Sequence, residues 1–195
     1  MRGYFGIGVE GINKAYNLGN LFRSAHAFDA SFVFTIASTY ERRVGNRSDT
    51  SNSLAQVPFY EFPTVDSMSF PKGCTIVGVE LDNTAIDLPS FRHPPQACYI
   101  LGPERGSLSK GLMAKCEYIV KIPTRFCLNV GIAGVLVMYD RLISSSGFAA
   151  RPVTMGGGNA LETGHKHGAQ IIRTAGMDQF SVPPPLDEVD LVTKS

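Results

Sequence analysis

Residues 4–36 read YFGIGVEGINKAYNLGNLFRSAHAFDASFVFTI, and this stretch decides the fold class. Apolar residues alternate over residues 4–9 and recur over residues 31–36, so each segment predicts a β-strand. Residues 18–28, between these two segments, predict a helix. A strand, a helix and a second strand in this order indicate a β-α-β unit, whose two strands run parallel.

Further along the chain, apolar runs predict strands at residues 75–79, 98–101 and 118–122, with a helix over residues 110–115 between the last two. Residues 128–143 are apolar nearly all round, which predicts a helix largely buried against the sheet. Continuously apolar strands are typical of parallel sheets that are covered on both sides. We therefore predict an α/β fold, with a mostly parallel sheet and helices on both faces.

The predicted strands and helices all fall within residues 1–148, which we expect to form one domain. Residues 39–56 are rich in Arg, Ser, Asn and Asp and predict a loop that faces substrate or solvent. Beyond residue 148 the composition shifts to Gly and Pro runs. We expect residues 149–195 to form a C-terminal tail, partly disordered or packed on the core.

Composition excludes several classes of protein. No apolar run approaches the roughly 18 residues of a membrane span, and no signal peptide is visible at the start, so we expect a cytoplasmic protein without a membrane partner. The four cysteines form no C-x-x-C pair, and His165 and His167 lack a third ligand, so we expect no metal. With a net charge of +1, any nucleic-acid binding would depend on local basic patches.

The segment 6–11, GIGVEG, matches the dinucleotide-binding pattern G-x-G-x-x-G, and Asp29 lies roughly where the ribose-binding acid would be. In that fold the glycines follow the strand and open a helix directly. Here they fall within the apolar alternation, and Asn17-Leu18-Gly19 separates them from the predicted helix. We therefore reject the nicotinamide hypothesis.

The segment 17–25, NLGNLFRSA, carries the first chemical signal. A turn-favouring start leads into a helix whose first turns present Asn20 and Arg23 three residues apart, so both side chains can reach one ligand. The fork of Arg23 suits a phosphate group. The alternative is a helix-capping asparagine and a surface arginine.

Two later segments follow predicted strands, at the sheet edge where α/β proteins bind ligands. Residues 101–109, LGPERGSLS, form a glycine-bounded loop around Glu104, and the alternative is an ordinary turn capped by Ser109. Residues 122–130, IPTRFCLNV, place the polar Asn129 at the start of the apolar helix. A buried amide needs partners, so Asn129 either caps backbone or holds a loop and a ligand.

In this order, the three segments resemble the signature motifs of the SpoU (TrmH-like) class of the SPOUT methyltransferases. Residues 17–25 are similar to N-x-G-x-x-x-R-[ST]-A, residues 101–109 to G-x-E-x-x-G-[LS], and residues 122–140 to I-P-…-S-L-N-V-…-Y-E. Two positions depart from the third motif, since Cys127 replaces the usual Ser and Asp140 replaces the usual Glu. The resemblance covers residues 4–144.

The resemblance implies a C-terminal trefoil knot, a homodimer, and methyl transfer from S-adenosylmethionine to an RNA ribose 2′-hydroxyl. It implies a cofactor site made by Val79, Leu101, Gly102, Ile122, Cys127 and Leu128. It also implies catalytic roles for Arg23, Asn17, Glu104 and Asn129. Because arginine is a poor base, we expect Arg23 to bind a phosphate and stabilise negative charge on the oxygen.

The target RNA is not identified by the sequence. The first predicted strand begins at about Tyr4, so we expect no separate N-terminal RNA-binding domain, and minimal members of this kind commonly act on tRNA. The alternatives are an rRNA 2′-O-methyltransferase, a SPOUT base methyltransferase, and a catalytically silent RNA-binding protein of the same fold.

Overall fold

The computed structural model describes residues 3–39 and 56–148. The predicted tail at 149–195 and most of the predicted polar loop at 39–56 lie outside these residues. The elements follow in the order β1 (Tyr4–Glu10), α1 (Ala15–Ala27), β2 (Phe32–Ile36), β3 (Phe59–Phe62), β4 (Thr75–Val79), β5 (Ile86–Asp87), a 3-10 turn (Leu88–Ser90), β6 (Gln96–Leu101), α2 (Lys110–Met113), β7 (Tyr118–Lys121) and α3 (Val130–Ser145).

Within the described residues, seven strands form one sheet in the order β3-β2-β1-β6-β4-β7-β5, and every pairing is parallel. The predicted α/β class with a parallel sheet is therefore confirmed. Strand β6 lies between β1 and β4, with Ile7 opposite Tyr99 on one side and Val77 opposite Tyr99 on the other. All strands run the same way, so their carboxyl ends meet at one edge of the sheet.

The two faces of the sheet bury different sets of residues. Helices α1 and α3 pack on one face, where alternate strand residues meet their apolar side chains, among them Phe5, Ile7, Val9, Tyr99, Leu101, Leu18, Leu21, Val137 and Met138. The short helix α2, through Leu112, covers the other face together with aromatic residues, which include Phe32, Phe34, Phe62 and Phe70. Both faces are thus protected from water, as a parallel sheet requires.

The glycines of the G-x-G pattern lie inside β1 and have a packing role. A Cβ atom on Gly6 would lie 2.3 Å from ring atoms of Phe32, and one on Gly8 would lie 2.3 Å from the backbone oxygen of Phe34. Glycine is therefore required at both positions because the aromatic cluster presses directly against the strand. The turn that binds a dinucleotide is not formed here.

Three expectations about elements were wrong. Strands β3 and β5 were missed, since β3 has only four residues directly after the predicted polar stretch and β5 has only two. Helix α1 begins at Ala15 and not at about residue 18, so Asn17 lies in its first turn, and the alternative of a capping asparagine fails because the N-cap is Lys14. Helix α3 is not largely buried, because Ile132 is 56% exposed, Leu136 36% and Tyr139 48%. None of the helices described is long and apolar enough to cross a membrane.

Candidate active site

A pocket lies at the carboxyl edge of the sheet, where ligands bind in α/β folds. The pocket is a half-open cleft, and its space, including the part open to solvent, is about 600 Å³. The ends of β4 and β6 and the loops after β6 and β7 supply its walls. Its lining consists of Val79, Glu80, Leu81, Leu101, Gly102, Pro103, Glu104, Gly106, Ile122, Thr124, Cys127, Leu128, Val130 and Ala133.

All six residues assigned to the cofactor by resemblance line this one pocket: Val79, Leu101, Gly102, Ile122, Cys127 and Leu128. They come from three separate parts of the chain, and the parallel strands bring them together. The pocket wall passes close to the backbone at Gly102, where a Cβ atom would lie 3.2 Å from Glu80 Oε2 and 3.4 Å from Leu108 N. Their role in binding stays a prediction.

Three of the four residues predicted to be catalytic form one hydrogen-bonded chain. Asn17 Nδ2 donates to Glu104 Oε1 at 3.0 Å, and Asn129 Nδ2 donates to Asn17 Oδ1 at 3.0 Å. The backbone N–H of Gly131 donates to Asn129 Oδ1 at 2.9 Å, so Asn129 is also the N-cap of α3. The capping alternative for Asn129 is therefore confirmed, its amide also holds α1 through Asn17, and its contact with a ligand stays a prediction. The chain fixes α1, the loop after β6 and the start of α3 to one another.

Arg23 lies apart from the hydrogen bonds that join Glu104, Asn17 and Asn129. It is exposed on α1, six residues after Asn17, which corresponds to roughly 9 Å along the helix axis. It is not among the residues that line the pocket. The structure thus places Arg23 on the solvent side of α1, beyond the hydrogen-bonded chain.

Sequence reasoning missed two carboxylates at the same sheet edge. Glu10 ends β1, is 7% exposed and accepts a hydrogen bond from Ser109 N at 2.8 Å. Glu80 directly follows β4 and accepts from Leu108 N at 2.8 Å. Together they hold the end of the 101–109 loop, where Ser109 also caps α2 as the alternative for this segment expected. The sequence signal that could have found both carboxylates is an acidic residue at the end of a predicted parallel strand.

A second polar network, also missed, lies near the opposite edge of the sheet. His93 Nδ1 and Tyr99 Oη are 2.6 Å apart, His93 Nε2 and Asp140 Oδ2 are 2.9 Å apart, and Arg141 Nη1 donates to Tyr99 Oη at 3.0 Å. Burial lowers the pKa of His93, against the raising effect of Asp140, and burial raises the pKa of Tyr99 to about 12. The network fixes the last turns of α3 to the segment before β6.

The residues that the structure describes form no metal-binding centre. Within residues 3–39 and 56–148, no three His, Cys, Asp or Glu side chains are grouped to hold a metal ion.

The chain matches the model of the SpoU rRNA Methylase family over residues 5–139, which includes the pocket and the hydrogen-bonded chain. This chain belongs to that family. A mouse protein named tRNA (guanosine(18)-2′-O)-methyltransferase TARBP1 is 27% identical over 66% of the chain. A TrmH family protein of Staphylococcus haemolyticus is 26% identical over 68% of the chain. The matches span only 9% and 55% of these two curated relatives.

Solved structures share the fold. The SpoU methyltransferase AviRb of Streptomyces viridochromogenes, in complex with AdoMet, superposes with a TM-score of 0.65 over 73% of this chain and 58% of AviRb, at 21% identity. A structure from work on 2-OH methylation of C/U34 on tRNA superposes with a TM-score of 0.65 over 76% of this chain and 100% of its own, at 18% identity. At such identities the likeness shows the fold alone.

Proposed function

We propose that this chain is a cytoplasmic, S-adenosylmethionine-dependent methyltransferase that modifies a ribose 2′-hydroxyl in tRNA. One observation carries the proposal: the Glu104–Asn17–Asn129 chain adjoins a pocket lined by all six residues that the family motifs assign to the cofactor. The three motifs are far apart in sequence, and they meet at the edge where a parallel sheet binds ligands.

The pocket fits the proposed cofactor. Apolar side chains from Val79, Ile122 and Leu128 offer surfaces for an adenine ring, and backbone at Gly102 offers polar groups at close approach. The carboxylates of Glu80 and Glu104 suit a ligand with positive charge. When bound, S-adenosylmethionine would supply a methyl group on a positively charged sulfur.

The chain's own residues would orient the ribose and assist loss of the hydroxyl proton. Holding the hydroxyl in line is a large part of such catalysis, because proximity replaces a bimolecular encounter. Asn17 and Asn129 would fix the loops that face the ribose. Arg23, on the exposed side of α1, would bind the neighbouring phosphate and stabilise negative charge on the oxygen.

The names of similar proteins support tRNA as the substrate. The mouse relative is named as a tRNA 2′-O-methyltransferase, and one structural neighbour comes from work on tRNA methylation. Ribosomal RNA is the second candidate, because the matching family carries rRNA in its description.

A homodimer and a C-terminal trefoil knot are parts of the same proposal. The exposed apolar residues Ile132, Leu136 and Tyr139 recur at helical spacing on α3, which supports a partner on that face. Helix α3 follows β7, near one side of the sheet, and returns to pack on α1. The proposed knot requires, beyond this return, that the segment pass through a loop formed earlier in the chain.

Methyl transfer can be tested with labelled S-adenosylmethionine and separate pools of tRNA and rRNA. We expect label in tRNA, at positions where the neighbouring phosphodiester bond resists nuclease and alkali. Label in a base would instead indicate base methylation. Cofactor binding without transfer to any RNA would support the silent RNA-binding protein.

Arg23 provides the matching variant. We expect Arg23→Ala to lower methyl transfer by at least about a hundredfold while cofactor affinity stays within a few-fold, because the guanidinium acts on the RNA side. Arg23→Lys should restore little, since an ammonium cannot reproduce a bidentate fork. Full activity of either variant would remove Arg23 from the proposed chemistry.

A further inference from the structure

The charged side chains that line the pocket are all acidic. Among the described lining residues, Glu80 and Glu104 are charged, and no Lys, Arg or His is present. The two carboxylates differ in their tasks. Glu104 accepts from Asn17 Nδ2 at 3.0 Å and from Asn13 N at 3.5 Å, so both of its oxygens hold the start of α1 to the loop after β6.

Glu80 is held in place by the backbone around it. Its Oε2 accepts from Leu108 N at 2.8 Å, and its Oε1 accepts from Leu81 N at 3.1 Å. Gly102 leaves room for this arrangement, since a Cβ atom there would come within 3.2 Å of Glu80 Oε2. Each oxygen keeps a second lone pair, and the carboxylate is fixed in the pocket wall before any ligand arrives.

We infer that Glu80 determines specificity by charge, so that the pocket favours the positively charged sulfonium cofactor over the uncharged thioether product. This inference rests on the proposed function. In methyl transfer the ribose hydroxyl releases its proton to solvent, its oxygen forms the new C–O bond, the C–S bond pair returns to sulfur, and the ligand loses one positive charge. A fixed carboxylate attracts the ligand before the reaction and loses this attraction afterwards.

The consequence is easier release of product. A pocket that recognised only the adenosine and the amino-acid group would bind cofactor and product equally, because both ligands carry these groups. The carboxylate of Glu80 in the pocket wall acts on the positive charge at sulfur, which is the one feature that differs between cofactor and product. Glu80 therefore biases exchange of spent product for fresh cofactor.

Calorimetry on the full chain with S-adenosylmethionine, S-adenosylhomocysteine and sinefungin tests this inference. Sinefungin keeps a positive charge near the sulfur position. We expect Glu80→Gln to weaken S-adenosylmethionine and sinefungin by about tenfold and S-adenosylhomocysteine by no more than about twofold. The matched control is Glu117→Gln, because Glu117 also accepts a backbone hydrogen bond, from Ile76 N at 3.1 Å, but does not line the pocket.

The outcomes separate the inference from the proposed function. Equal weakening of all three ligands, as expected if Glu80 binds the ribose or only shapes the loop, would overturn the inference alone. Failure of the unaltered protein to bind any of them would overturn the proposed function and the inference with it. If Glu80→Gln does not fold, the same calorimetry is carried out on the unaltered protein at about 0.05 M and about 0.5 M salt. The preference for S-adenosylmethionine must then shrink, and an unchanged preference contradicts the inference.

Discussion

Asn17 lies at the centre of the hydrogen-bonded chain and uses both ends of its amide, donating to Glu104 and accepting from Asn129. An amide is required because one partner needs a donor and the other an acceptor. Aspartate has the same shape but no N–H, and it would set a second carboxylate against Glu104.

We therefore expect Asn17→Asp to lower methyl transfer by at least about tenfold, equal to about 1.4 kcal/mol in the transition state. Steady-state assays with saturating cofactor measure this loss. The control is Gln96→Glu, an equivalent change at an exposed position at the start of β6. Equal activity of the Asn17→Asp variant and the control would show that the amide chain is not needed.

At the scale of elements, α1 and α3 cross closely at Gly134. A Cβ atom there would lie 2.3 Å from Leu21 Cδ1, and Leu21 is fully buried. We expect Gly134→Leu to lower the free energy of unfolding by about 1–3 kcal/mol, because a well-packed core cannot absorb added volume.

Urea unfolding followed by circular dichroism measures this change. Gly111→Ala is the matched control, since Gly111 lies in α2 and a Cβ atom there meets nothing within 4 Å. Its stability should be unchanged or rise by about 0.5–1 kcal/mol. A Gly134→Leu variant as stable as this control would mean that the helices are not tightly packed at this point.

The contact between the end of α3 and the segment before β6 should depend on pH. Burial lowers the pKa of His93 below its ordinary value of 6.5, while Asp140 opposes this shift and Arg141 adds to it. Below about pH 6.5, His93 takes up a proton in the unfolded chain but resists protonation in the folded protein. Acidification therefore lowers the free energy of unfolding.

We expect His93→Gln to reduce the pH dependence of the unfolding free energy between pH 7 and 5, by at most about 1.4 kcal/mol per pH unit. Denaturant titrations at three pH values give this slope for both proteins. His26→Gln, which alters a partly exposed histidine on α1, is the control. An identical slope in all three proteins would contradict the role of His93.

The elements were predictable to different degrees, for physical reasons. Strands such as β4 and β6 are continuous apolar runs, and burial on both faces leaves that mark in the sequence. Helix α3 was placed correctly but its burial was not, because an apolar helix face looks the same whether it meets the core or another molecule. The contacts Glu80–Leu108 and His93–Asp140 join residues 28 and 47 positions apart, and no local pattern reports such pairs.

At the scale of the whole molecule, the apolar face of α3 predicts association. Ile132 and Leu136 lie one helical turn apart and are 56% and 36% exposed. We expect the unaltered chain to be a dimer and the double variant Ile132→Glu with Leu136→Glu to be a folded monomer, because burying two charges in an apolar interface is costly.

Light scattering coupled to gel filtration measures the mass of each species. The control is Ile86→Glu on β5, an isoleucine that is 39% exposed outside the α3 face. A control variant that dissociates as fully as the double variant would place the interface elsewhere, and a monomeric unaltered chain would reject the dimer.

The order of the strands also affects how the chain folds during synthesis. Of the strands that the structure describes, β6 is the sixth to be synthesised, yet it lies between β1 and β4. Until residues 96–101 emerge, β1 and β4 each present an open edge of unpaired N–H and C=O groups, with no neighbour between them. The nascent chain must therefore keep the β3-β2-β1 sheet apart from β4, whose other neighbour β7 is synthesised still later, and both apart from other chains. The sheet is completed only when β6 pairs with β1, about 90 residues earlier in the chain. Such a long-range pairing makes folding slow, and the incomplete sheet is a natural client for chaperones.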